Sequence, residues 1–346
     1  MKKFLSTLFC AVLAALTAVF FAACNDGNSP ELVTLKAVPS AAEVIASDDV
    51  DYFVVPEPAA SVRVKATAGS DNKLNLVGDL QELYGGDNGY PQAVIVAKKS
   101  ILGSETEKFV NALKASIDWV KDDSTEISDI VAAVKNHLPD GTTPTFSDKN
   151  LNGQVISHCG INFTGAAEGK EEVKTFLTAL KSVQADVNDE PSDAFFLQSY
   201  PEESNMPAEI SVFAPDGAPA LVLAGLMSGA VETTQVAQTI NYNIVRAEEI
   251  GVHVNGQNPD ADICILPVNV AAKSLGSGEK YVMLGTVTHG NLYILSAKSD
   301  KSITKDNIAE LKGKTVGVVN LAAVPGLTFK LILNKYGIEY SDGTQS

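Results

Sequence analysis

The sequence has little of what a catalytic or metal-dependent protein needs. Cysteine is scarce: there are four in 346 residues, and two of them, Cys10 and Cys24, lie in the first 24 positions. Cys159 and Cys264 alone remain for the fold, which gives neither a disulfide framework nor zinc-ligand spacing. The four histidines, His137, His158, His253 and His289, show no metal-ligand pair spacing, so no metal site is expected. No G-x-S-x-G nucleophile motif occurs. Gly313-Lys314-Thr315 has the ending of a phosphate loop, but position 308 is Ile where the first glycine should stand, and the segment leads into a strand. No catalytic residue and no cofactor is expected, so the chain reads as a protein that is not an enzyme. Positive charge is also short, with 26 Lys and Arg against 42 Asp and Glu and a formal charge of −16. That balance excludes nucleic acid and anionic lipid surfaces as partners. Aromatic residues make up only 7%, so the core must be aliphatic.

Hydrophobic residues, by contrast, make up 45% of the chain, enough for a large core and, at this length, for two lobes. Residues 1–23 read as a leader rather than as fold. Lys2 and Lys3 are followed by an apolar run from Phe4 to Phe21, then by Ala22-Ala23 before Cys24. The run is long enough to span a membrane, but the Ala-Ala-Cys ending argues for cleavage. Loss of the two lysines would move the formal charge from −16 by two units to −18. Residues 24–30, containing "NDGNSP", have linker composition.

Strand-like and helix-like segments then alternate. "LVTLKAV" (32–38), "VDYFVVP" (50–56) and "QAVIVAKKS" (92–100) read as strands, with a short helix at 40–47 capped by Ser40. Phe109, Val110, Leu113, Ile117 and Val120 mark a helix over 105–122, and Ile127, Ile130, Val131, Val134 and Leu138 mark another over 124–138. "QVISHCGINF" (154–163) is strand-like, and Val173, Phe176, Leu177, Leu180 and Val183 mark a third helix. The polar stretch "QSYPEESNMPAE" (198–209) has linker composition. Beyond it the alternation resumes to the C-terminus, with a long or double strand over 281–299, which argues for parallel sheets.

The second half, through "ISVFAPDGAPALVLAGL", "ADICILPVNVAAKSL", "LGTVTHGNLYILSA" and "LKGKTVGVVNLAAVPGLTFKLILNKYG", resembles the N-terminal half of bacterial ABC-transporter solute-binding proteins. The subfamily is that of nitrate, sulfonate, taurine and thiamine-precursor binders. The continuation that this family would show next stands near the N-terminus, in "LVTLKAVPSAAEVIASDDVDYFVVPEPAAS" (32–61). The resemblance therefore implies a circularly permuted α/β protein of the periplasmic-binding-protein-like fold, its two lobes each a mostly parallel sheet flanked by helices. Residues 92–298 would form the continuous lobe, and residues 31–91 with 299–346 the discontinuous one. "AVIVAKKS" and "LYILSAKS" would be the crossing strands. Cys24 is similar in setting to a lipobox cysteine, which implies lipidation and anchoring at the extracytoplasmic face of the cell membrane. The implied function is capture of a small molecule between the lobes, by a monomer, for delivery to the subunits of an ABC permease. The alternative is a surface lipoprotein of the same fold used for sensing or interaction.

Ligands of open α/β sheets sit beyond strand ends and near helix N-termini. Candidate contacts are therefore Asp216, Gly217 and Ala218; Pro267 and Asn269; Thr288, His289 and Asn291; Val324, Pro325, Gly326 and Thr328; and Pro39 and Glu57. Each has a plainer role as turn, cap or interior group. None of these loops holds Lys or Arg. Backbone N–H groups could still bind an anion, whereas Glu57, Asn269 and His289 suit a neutral or amine-bearing heterocycle.

Overall fold

The computed structural model describes residues 31–86, 89–184, 190–203 and 205–343. The expected leader, the linker and Cys24 lie outside the described residues. Among those described, no helix is long and apolar enough to cross a membrane.

Twelve strands form two six-stranded sheets. They are β1 (Val33–Val38), β2 (Tyr52–Pro56), β3 (Asn75–Asp79), β4 (Pro91–Lys98), β5 (Ile161–Gly165), β6 (Glu209–Pro215), β7 (Thr239–Val245), β8 (Ile263–Pro267), β9 (Tyr281–His289), β10 (Leu292–Ser296), β11 (Thr315–Val319) and β12 (Tyr340–Asp342). One sheet has the order β12-β1-β11-β2-β10-β3 and the other β5-β9-β4-β8-β6-β7. The two chain ends thus share a sheet. β1 and β11 run parallel with Thr34 opposite Thr315 and Val38 opposite Val319, the pairing expected from the sequence.

The two sheets repeat one plan. In the first, β1, β11 and β2 are parallel, and β10 is antiparallel to both β2 and β3. In the second, β7, β6 and β8 are parallel, and β4 is antiparallel to both β8 and β9. The strand antiparallel to each trio is delivered from the other sheet, β4 after β3 and β10 after β9, and the second sheet carries a further reversed strand at its edge, β5, antiparallel to β9. With the edge strands β12 and β5 set aside, both orders read second, first, third, reversed, fourth, provided that β1 is counted as following β11.

Local chemistry explains most elements. β2, β4, β8, β9 and β10 are buried along nearly their whole length, as central strands covered on both faces must be. Helix Ser104–Lys121 buries Phe109, Val110, Leu113, Ile117 and Val120, and helix Ala166–Val183 buries Val173, Phe176, Leu177 and Leu180, the stripes visible in the sequence. Four readings need correction. The second sheet is not mostly parallel, because the pairings of β4 with β8, β4 with β9 and β5 with β9 are antiparallel and only β6 with β7 and β6 with β8 are parallel. Residues 153–158 are a helix rather than part of a strand, because Asn152 caps it by accepting from Val155 N at 3.0 Å; only Ile161–Gly165 is extended. The helix over 40–47 shrinks to one turn at Ala41–Glu43, where the Ser40 hydroxyl donates to the Glu43 carboxylate instead of capping the backbone. The double strand at 281–299 is two strands in different sheets, parted at Gly290 with φ +67°, so Leu292–Ser296 joins the sheet of the chain ends. Cys159 and Cys264 are both buried and unbonded, the first at a helix end and the second in β8.

Candidate functional site

The strand ends named by the sequence reach one another at a few points between the sheets. β2 ends at Pro56, and Glu57 follows it with its backbone still in the ladder: Glu57 N donates to Asn291 O at 2.8 Å. The Asn291 amide returns the bond, its Nδ2 donating to Glu57 O at 3.1 Å. The Glu57 carboxylate is buried and accepts from Ser61 N at 3.0 Å and Ser61 Oγ at 2.6 Å, so it caps helix Ala59–Thr67 from outside. Burial pushes its carboxyl pKa up, against the pull of the Ser61 bonds and of His158. On the other sheet, Asp216 follows β6 and accepts from Thr145 N at 2.8 Å and Thr145 Oγ1 at 2.7 Å, which pins the 139–150 loop. Burial raises the Asp216 pKa as well. Gly217 has φ +103°, and a Cβ there would lie 3.9 Å from Pro58 Cδ. Pro58 and Gly217, the residues after Glu57 and Asp216, therefore face each other closely between the two sheets.

The remaining candidates fall into three groups. Asn269, His289, Asn291 and Thr328 are buried and each holds an atom with no hydrogen-bond partner: Oδ1, Nδ1, Oδ1 and Oγ1 respectively. An unpaired buried polar atom costs about 1–3 kcal/mol. Ala218, Val324, Pro325 and Thr288 are buried as packing or ladder residues. Gly326 is required by its own loop, since a Cβ there would lie 1.9 Å from Leu321 O, so its smallness serves backbone packing. Pro39 is exposed beyond the end of β1, and Pro267 is half-buried at the start of its helix.

Several polar residues at the crossings gave no signal in the sequence. His158 places Nδ1 3.7 Å from Glu57 Oε1 and stacks on Tyr293, with ring centroids 5.1 Å apart. Tyr293 Oη donates to His158 O at 3.4 Å. Gln81 Oε1 accepts from Tyr90 Oη at 3.0 Å and from Leu292 N at 2.9 Å, while its Nε2 donates to Asp79 Oδ1 at 2.8 Å. These groups come from five separate segments, and no spacing rule links them. Only the Asp79 cap on Gln81 and Glu82 follows a local pattern.

Two surface pockets, each of about 180 Å³, lie elsewhere. One is bounded by Asn111, Lys114, Phe163 and Tyr200, the other by Asn255, Ser274, Lys280 and Tyr281. Among the described residues, no group of His, Cys, Asp and Glu could hold a metal ion.

His289 lends itself to a pH test. Burial, helped by the Lys121 charge, pushes its pKa down to about 4. The unfolded chain, with an ordinary value near 6.5, then binds more protons than the folded chain between those limits. The His289 contribution is intact above about pH 6.5 and is lost as pH falls toward 4. His289→Gln should therefore remove up to about 3 kcal/mol of the acid-induced loss measured by urea unfolding at pH 7 and pH 4.5. An unchanged difference between the two pH values would show that His289 is not held neutral.

No family model matches the chain, and no curated protein matches it. Among solved structures, the chain is similar to the oligopeptide-binding protein AppA from Bacillus subtilis, in complex with a nonapeptide. The identity is 9% and the TM-score 0.24, over 76% of this chain and 55% of that one. The chain thus spans about half the length of that protein.

Proposed function

We propose that the chain is an extracytoplasmic solute-binding protein. In this reading the two sheets are the cores of two lobes that close on a small molecule. Cys24 carries a lipid anchor, and the loaded protein delivers its solute to an ABC permease. The observation that carries the reading is the shared plan of the two sheets, a parallel trio flanked by an antiparallel strand that arrives from the other sheet. Two crossings between two like units make a natural hinge, with few residues absorbing the motion. A solute that touches both units favours the closed arrangement by its differential affinity, and no chemical step is needed.

The unpaired atoms of Asn269, Asn291, His289 and Thr328 support the same reading, because they lie where strands end and the following helices or turn begin, on both sheets, and want partners. Their burial and the distance of the open pockets imply that a solute enters only when the lobes part. The repeated strand order also supports a permuted chain, with the old ends joined through 198–209. Native mass spectrometry of the purified chain should show a co-purifying small molecule, whose removal raises the radius of gyration slightly in solution scattering and whose return lowers it again. Asn269→Ala should weaken its binding by about 1–3 kcal/mol. Binding that leaves the radius of gyration unchanged and ignores Asn269→Ala would sink the reading.

A further inference from the structure

The polar groups between the two sheets are unbalanced in both charge and hydrogen bonding. Glu57, Asp79 and Asp216 are all largely removed from water, and burial is the leading influence on each, raising its pKa. The lysines that form ion pairs among the described residues spend them on other acids: Asp262, Glu105, Asp193, Asp51, Glu310 and Asp342. The ion-pair partner within reach of Glu57 is His158, at 3.7 Å. Ser61 occupies one site on each Glu57 oxygen, and a carboxylate oxygen can accept a second bond. Beside it stands Asn291, 3% exposed, with Nδ2 committed to Glu57 O and Oδ1 without a partner. Asn269 Oδ1 is a further unpaired acceptor, in the first turn of the helix Val268–Leu275 that follows β8 of the other sheet.

An unpaired acceptor on the residue bonded to the Glu57 backbone, together with a carboxylate that no lysine or arginine neutralises, calls for N–H donors that carry positive charge. Resting on the solute-binding reading above, we propose that the solute is a small organic cation with N–H donors, a protonated amine or amidine, held by Glu57 and Asn291. Asp79 stands behind them: Gln81 links its carboxylate to Leu292 N, next in the chain to Asn291. A sulfonate or nitrate would face these carboxylates with no compensating cation, so anions are rejected by charge rather than by size.

The test uses the purified chain, stripped of small molecules by unfolding and refolding. Cation-exchange and anion-exchange fractions of a bacterial small-molecule extract are offered separately, and retained mass is read by native mass spectrometry. The retained solute is then titrated into the wild type, Glu57→Gln and Asp79→Asn. Retention from the cationic fraction is expected, with Kd weakened about tenfold or more by Glu57→Gln and by a smaller factor by Asp79→Asn. Asp79→Asn keeps the cap on its helix and carries the comparison alone should Glu57→Gln not refold. Retention from the anionic fraction, or a cation whose Kd neither variant changes, overturns the proposal but leaves solute binding standing. Retention only from the uncharged flow-through overturns the proposal and leaves solute binding standing, and retention from neither the fractions nor the flow-through overturns both.

Discussion

Gly160→Ala is expected to destabilise the protein by roughly 3–5 kcal/mol, at the upper end of single substitutions. Gly160 has φ +61°, and a Cβ there would lie 2.1 Å from Gly290 O and 2.8 Å from His289 O. Those oxygens are backbone, so no side chain can swing aside. The whole 289–291 crossing would have to move, and the Gly160 O to His289 N bond of 2.9 Å would go with it. Asn291 sits in that crossing and holds Glu57 through two hydrogen bonds. The substitution should therefore weaken solute binding as well as stability. Equilibrium urea unfolding checks the first effect, and a loss under about 1 kcal/mol would mean that the crossing is far more pliable than its geometry implies.

The second large effect concerns the two ends of the chain. Thr34 and Thr315 are register partners in neighbouring parallel strands, and both are half-buried. Cysteines at both positions should form a disulfide that closes almost the entire fold into one loop. Chain-entropy arguments put the stabilisation of so long a loop at up to about 5 kcal/mol, with strain taking part of it back. The native thiols Cys159 and Cys264 are buried and should not compete. Non-reducing electrophoresis after cleavage between the two positions reads the crosslink, and thermal unfolding reads the gain. Cysteines that stay reduced under oxidation would place the two strands apart.

Legibility in the sequence followed the range of the interactions. The helices at 104–121 and 166–183 were readable because their apolar stripes recur at helical spacing. The β1–β11 pairing spans the chain and has no local signature. It became an expectation only through the resemblance of two distant segments to one continuous stretch. Residues 153–163 misled because an apolar run of that length fits strand and helix alike, and the Asn152 cap decided the outcome. The break at Gly290 was hidden for a related reason: β9 and β10 are both fully buried, so hydropathy does not change where the sheet does.

The site was legible only in part. Strand ends and the turns or helices that follow them can be picked out by rule, and four residues there turn out to hold unpaired buried atoms. The rule says nothing of which loop serves packing, and Gly326 looked like a ligand contact although its neighbour Leu321 requires it. Nor could it find His158 beside Glu57, because their approach depends on how helix 153–158 is set against β2.

Hydrogen exchange read by mass spectrometry, with and without the retained solute, tests the central claim most directly. The account expects protection to rise together in 55–61 and 324–328 on one sheet's side, in 216–220 and 267–271 on the other's, and in 288–292 at the crossing, because closure buries all of them at once. Protection confined to the pocket of Asn111, Lys114, Phe163 and Tyr200, or to one sheet alone, would contradict it.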